Sequence, residues 1–425
     1  MPNTCPVIRP SACPGLLRIV AALDGGICRV KLPGGLLTTA QARAIAEAAT
    51  ACASGVLELT NRSNLQVRGV RDGQPLIERL LAAGLGPRHA EADDVRNVLL
   101  SPAAGRDPAA QLDTRPLADE LLALLQDEPA FRALSPKFAV QLDGGEALAM
   151  LNHPHDLWFS ALPGGTQMAF GLAGCPRSQA LGVVDSAQVP QLMQALLERF
   201  LELAGEHTRM RQLLAEVPLA EVLKSLPYRV QPLRFAQAKQ DGAPLGIHAQ
   251  TQPGRVMLLA GAPLGRLQAG QLLALAELAE AEGSGELRLT PWQGVLLPDV
   301  AAERQAAVAQ AMGDLGLLLD RRAPLARMLA CSGSAGCAKA AADTKADARR
   351  LAARLGSAGP AQVHLSGCPR SCAAAHVAPY TLLARSGGRY DLYCREQGSA
   401  GFGRLLASSI DIDQAGAQLA AGTAE

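Results

Sequence analysis

One feature constrains this chain more than any other: it repeats itself once. Sliding the sequence by 230 residues lays 33–60 on 263–290 without a gap, with 14 of 28 positions identical. Four matches are Ala on Ala, but Gly35/Gly265, Gln41/Gln271, Glu47/Glu277, Gly55/Gly285 and Thr60/Thr290 are not explained by composition. A period this long is not a solenoid, so the chain holds two copies of a larger unit related by a pseudo-two-fold.

Each copy predicts the same elements. A strand at 28–32 ends at Pro33-Gly34-Gly35. Thr38 or Thr39 then caps a helix to about Ala53, with Ala40, Ala44, Ala48 and Ile45 on one face, and a strand follows at 56–70. The second copy predicts a helix at 269–282 and a strand at 286–297. Downstream, helices are expected at 115–126, 187–215, 301–315 and 338–356. Short strands are expected near 137–142, 168–172, 361–365, 380–385 and 390–394. A linker at about 216–245 joins the halves, and the Ala/Gly-rich tail from Gln414 is expected to be mobile.

Four cysteines stand in two pairs, Cys331 and Cys337 as C-x5-C, and Cys368 and Cys372 as C-x3-C. Four thiolates are what a [4Fe–4S] cluster needs. Ser332, Gly333, Ser334 and Gly336 are small enough for the backbone to approach it. Structural zinc and unliganded thiols are the rival readings, but C-x5-C exceeds the usual zinc spacing. The chain shows no signal peptide, so the clustered cysteines point to a reducing, cytoplasmic compartment and to ligands in place of disulfides.

Across 56–70, Thr60, Arg62, Asn64, Gln66 and Arg68 fall at period two, which on a single strand gives one polar face. Two Arg, an Asn, a Gln and no acid suit carboxylates better than they suit an ordinary wet edge strand. On that strand Arg62 and Arg68 stand about 20 Å apart, too far for one small oxyanion. The second copy has Thr290, Trp292, Gly294 and Leu296 there, so the halves have diverged. Formal net charge is +1, which removes the footprint of a nucleic-acid binder. No apolar run is long enough for a membrane span.

Together with Arg96-Asn97-Val98 and Pro136-Lys137-Phe138, these motifs resemble the sulfite/nitrite reductase family from about Cys13 to Ile410. The resemblance implies an α+β, pseudo-two-fold duplicated fold. Its parts would be two ferredoxin-like half-domains (13–75, 240–305) and two α/β domains (90–215, 320–410), the second holding the cluster. It implies an anion site at Arg62, Arg96 and Lys137, with Asn64, Gln66 and Arg68 adding substrate contacts. Sulfite reductases carry K-F-K where this chain has Lys137-Phe138-Ala139, so one cation is missing. Cys13-Pro14-Gly15, Asp24-Gly25-Gly26 and 363–368 are similar to the cobalamin-pathway branch, the precorrin-3B synthases. That branch implies a tetrapyrrole substrate (precorrin-3A), O2 hydroxylation at C20 with γ-lactone formation, electrons from an NADH-linked donor, and a further non-haem iron. His153, His155, His364 and His376 are candidates for that iron by residue type alone. The alternatives are a sirohaem-dependent nitrite or sulfite reductase and a non-catalytic Fe–S redox sensor.

Overall fold

The computed structural model describes residues 13–176, 179–224, 226, 243–356, 359–374, 378–395 and 401–421. The linker expected at 216–245 lies largely outside these residues.

Two five-stranded antiparallel sheets form the half-domains, and each borrows a strand from the other copy. In the first, strands Gly25–Val30, Leu65–Val70 and Val56–Leu59 are completed by Arg266–Gln268 from the second copy. In the second, Arg255–Gly261, Gly294–Ala301 and Glu286–Leu289 are completed by Leu36–Thr38 from the first. The seam is reciprocal: Thr39 N donates to Gly285 O (3.2 Å) and Ala269 N to Gly55 O (2.8 Å).

Helices Thr39–Cys52 and Ala269–Glu282 pack on each other behind these sheets, tied at the surface by Arg43 and Glu280 (2.5 Å). Both start with a capping box. Thr38 Oγ1 accepts from Gln41 N, and the Gln41 side chain accepts from Thr38 N, each at 3.2 Å. The buried face of the first helix runs through Ala42, Ile45, Ala46, Ala48, Ala49 and Cys52. Of the expected face, Ile45 and Ala48 are buried, Ala44 is half-buried and Ala40 is exposed. One apolar core serves both copies.

The α/β domains also repeat each other. Each sheet has three parallel strands continued by two antiparallel ones. The duplicated α+β architecture therefore holds.

Several expected elements are corrected. The strand at 56–70 is a hairpin whose turn at 60–64 closes through Thr60 N to Asn64 O (2.9 Å) and Ser63 N to Thr60 O (3.1 Å). The segment at 286–297 is likewise the hairpin Glu286–Leu289 and Gly294–Ala301. The helix at 187–215 divides into Val189–Leu203 and Met210–Glu216, and that at 338–356 shortens to Thr344–Leu355. The tail expected to be mobile from Gln414 is, as far as Ala421, part of the helix Ile412–Ala421, which buries Ala415 and Leu419 on the last domain.

Candidate functional site

The turn at 60–64 carries the first site residue into a cavity between the halves. Thr60 Oγ1 accepts from Asn64 N (3.1 Å) and Arg62 N (3.3 Å), while Ser63 takes a left-handed φ of 57°. Asn64 Oδ1 accepts from Leu32 N (2.8 Å), and Arg62 Nη2 donates to the Lys137 carbonyl (3.0 Å). Asn97 holds the neighbouring segment through one amide nitrogen, which donates to Asp94 O, Pro136 O and Phe138 O at 2.9–3.1 Å.

These contacts bring Arg62, Asn64, Gln66 and Lys137 onto one wall of a cavity of about 370 Å³, with Cys331 and Cys372 on the facing wall. Arg29, Lys345 and Arg370 also line it, and Glu58 is the acid among its described residues. A larger space of about 930 Å³ adjoins it through Lys137, Arg370 and Cys372. The wall of the smaller cavity is cationic, as a multiply carboxylated ligand requires, whereas Glu91, Asp93 and Asp94 offset the cations of the larger space. Burial, followed by the neighbouring Arg209, brings the Arg62 guanidinium down to about 10, still cationic at neutral pH.

Arg96 and Arg68 do not join this wall. Arg96 is buried, pairs with Asp93 (3.3 Å), donates to Leu85 O and Gly86 O, and borders a smaller cavity shared with Arg62, Asn64, Ala139 and His155. Arg68 keeps the strand face of Gln66, but its guanidinium is taken by Asp24 and the Gly336 carbonyl. Their own partners are the physical reason: Asp24 and Gly336 O hold Arg68, and Asp93 with two carbonyls holds Arg96. The turn takes Arg62 off the strand, so its expected separation from Arg68 along one strand does not apply.

Arg29 and Lys345 were missed by sequence reasoning. Arg29 alternates with Lys31 on Gly25–Val30 and its neighbours, and it supports Gln66, whose amide oxygen accepts from it at 2.8 and 3.3 Å. That alternation was available as a signal. Lys345 had none, being a lone lysine at the start of a helix.

The thiols fit a cluster. Gly367 N donates to Cys331 Sγ (3.2 Å), the kind of backbone contact that supports a thiolate. Burial, then Cys368, Cys331 and Cys337, push the Cys372 thiol up, so all four are electrostatic neighbours. Among the described residues no three His, Cys, Asp or Glu side chains converge on a single ion. His153 and His155 adjoin, with ring centroids 4.8 Å apart, and His364 lies on the separate strand Val363–Ser366. His155 Nδ1 donates to His153 O (2.8 Å), and burial with Arg62 lowers its pKa to about 3, leaving it neutral. His376 lies outside the described residues.

Comparison with known proteins places this arrangement. Residues 22–83 and 248–315 each match the nitrite/sulfite reductase ferredoxin-like half domain, and 91–231 match the nitrite and sulphite reductase 4Fe-4S domain. A chloroplastic ferredoxin–nitrite reductase of Zea mays is 33% identical over 387 residues, 82% of this chain and 68% of that protein. The chain belongs to the nitrite and sulfite reductase family. It spans about two thirds of such plant reductases; that of Spinacia oleracea is 31% identical, with 65% covered. A precorrin-3B synthase of Sinorhizobium sp is 28% identical over 392 residues, covering 91% of this chain and 83% of that protein. The structure of the Mycobacterium tuberculosis NirA protein shares the fold, with a TM-score of 0.77 at 21% identity over 92% of this chain and 79% of that one.

The family is one of oxidoreductases with an Fe–S domain. The residues matched to that domain form the first α/β unit, whereas the four cysteines lie in the second, which repeats its sheet order. No helix of the described residues is long and apolar enough to cross a membrane.

Proposed function

We propose that this chain is an oxidoreductase of the precorrin-3B synthase type, which hydroxylates precorrin-3A at C20 with O2 and closes a γ-lactone. One observation carries the reading. The cationic wall of Arg62, Lys137 and Arg29 stands across a cavity from Arg370 and two of the four cysteines, with Ala139 where sulfite reductases have a second lysine. A match to a precorrin-3B synthase over 91% of this chain and 83% of that protein supports it.

Cys331, Cys337, Cys368 and Cys372 would hold a [4Fe–4S] cluster, which supplies one-electron relay from an NADH-linked donor. Arg62, Gln66 and Lys137 bind peripheral carboxylates of the tetrapyrrole. Asn97 fixes the Lys137 backbone and Asn64 the turn, so the cations are placed before the substrate arrives. The further non-haem iron of this reading has no assigned ligands.

The higher identity to ferredoxin–nitrite reductases favours a second reading, a sirohaem reductase in which the cavity holds the prosthetic group. The visible spectrum of anaerobically purified protein separates the two. A broad cluster band without sirohaem bands, together with consumption of precorrin-3A and O2, supports the first. Sirohaem bands and six-electron reduction of nitrite or sulfite overturn it. Under the first reading Ala139→Lys restores the cation without creating sulfite reduction.

A further inference from the structure

Arg68 is 3% exposed and is not among the residues that line the substrate cavity. Its Nε and Nη2 grip Asp24 at 3.0 and 2.7 Å, and Nη2 also donates to the carbonyl of Gly336 (3.1 Å). Nη1 stands 3.8 Å from Glu58. Glu58 in turn accepts from Arg266 (2.7 Å) and from Ser332 Oγ (3.1 Å), with Lys345 at 3.6 Å. Lys345 Nζ donates to Ala330 O (3.3 Å) and Leu264 O (2.6 Å).

The positions touched are Ala330, Ser332 and Gly336. They flank Cys331 and directly precede Cys337. Asp24, Glu58 and Arg68 belong to the first half-domain, so the loop is held from outside its own domain. Gly336 packs closely here: a Cβ there would stand 2.5 Å from Arg68 Nη2, so an alanine obliges the guanidinium to shift.

We propose that Arg68, seated on Asp24 and Glu58, is a positioning residue for the loop at 331–337, fixing the separation of its two thiols and placing a buried cation beside them. This rests on the reading that these cysteines hold the cluster. Three cations, Arg68, Arg266 and Lys345, meet two carboxylates, Asp24 and Glu58. The surplus positive charge favours added negative charge on the adjoining group, as electron uptake requires.

The test uses the full chain with Arg68→Gln and Arg68→Lys. With the cluster loaded, an EPR-monitored redox titration of Arg68→Gln is expected to give a more negative midpoint potential, while Arg68→Lys stays near the parent. In the same proteins freed of iron and reduced, both variants are expected to show several-fold faster alkylation of Cys337 by iodoacetamide, read by peptide mass spectrometry. Gly336→Ala displaces the guanidinium from the opposite side and is expected to raise Cys337 alkylation as well, which keeps the test open if Arg68→Gln does not fold. Parent-like potential and parent-like alkylation in Arg68→Gln, or parent-like alkylation in Gly336→Ala, overturn the proposal. Failure of the cluster reading itself would show separately, as a Cys368→Ser protein that keeps its full iron and sulfide.

Discussion

At 331–337 the chain carries Cys331, Gly336 and Cys337; 230 positions earlier, at 101–107, it carries Ser101, Arg106 and Asp107. The backbones agree. Cys337 N donates to Gly333 O (2.9 Å) as Asp107 N does to Ala103 O (3.0 Å). The second pair of thiols behaves likewise. Ala341 N donates to Gly367 O, just before Cys368, as Gln111 N donates to Gly144 O, just before Gly145. Both loops are also closed by a guanidinium crossing to a half-domain, but in opposite senses. Arg68 reaches from the sheet to a glycine carbonyl in the cysteine loop. Arg106 reaches from its own loop to Glu286 (3.1 Å) and Asp299 (2.8 Å). Supplying the cation from outside leaves the cysteine loop small and bare. Supplying it from inside fills the counterpart with a side chain. The duplicated scaffold thus sets where a loop goes, and the direction of one ion pair sets whether the loop has room for chemistry.

The largest effect that would break this comparison is loss of the cluster. Substituting any one of Cys331, Cys337, Cys368 or Cys372 with Ser is expected to remove most of the iron and acid-labile sulfide, whereas Cys52→Ser and Cys394→Ser leave both unchanged. Ser101→Cys with Asp107→Cys is not expected to build a second cluster, because Gly145 and Ala149 stand where the other two thiols would be needed.

Next comes the buried carboxylate. Burial alone would raise the Glu58 pKa, but Lys345, Arg68 and Arg266 together hold it down to about 2, against an ordinary 4.5. Its stabilising contribution is therefore complete above about pH 4.5 and is lost as pH falls toward 2. Glu58→Gln leaves Arg266 and Lys345 without their carboxylate and Arg68 with Asp24 alone, and is expected to cost about 3–5 kcal/mol at neutral pH, while flattening the acid limb of stability. Urea unfolding from pH 7 to pH 3 measures both.

A smaller effect is expected at the substrate wall. Each charge-assisted hydrogen bond to a buried carboxylate contributes on the order of 1.5–3 kcal/mol. Arg62→Ala should therefore weaken anaerobic binding of precorrin-3A roughly 10- to 100-fold, with Arg62→Lys recovering part of it. Trp292→Ala, at the equivalent turn, should bind like the parent. Equal losses at the two turns would mean that the division between them is not real.

The smallest effect belongs to the counterpart latch. Arg106→Gln is expected to lower stability by about 0.5–1 kcal/mol, as for a partly exposed ion pair, without altering cluster content or spectrum.

The repeat was readable because Pro33, Gly35 and Gly55 recur with the capping glutamine, and those residues have fixed backbone roles. The hairpin turns were not, because each takes its left-handed position with Ser63 or Gln293 and no glycine marks it. Alternation therefore ran on through a turn and set Arg62 on one strand face with Arg68, whose guanidinium is in fact taken by Asp24. The strand His155–Ala161 was missed because it is buried on both faces and shows no alternation. The cysteine spacing, by contrast, needed no secondary structure to be read. The strand exchange could not be foreseen: Leu36–Thr38 and Arg266–Gln268 are three residues long and leave no periodic trace.

That exchange bears on ancestry. The strand each half needs to finish its own sheet is carried by the other, so a solitary half has two open seams. The seams are self-complementary under a two-fold, and two identical halves would close each other as a symmetric dimer. In such a dimer every substitution falls on both sites at once, so thiols and a salt bridge cannot occupy equivalent places. Only joining the halves in one chain allows one site to keep its room while the other gives it up.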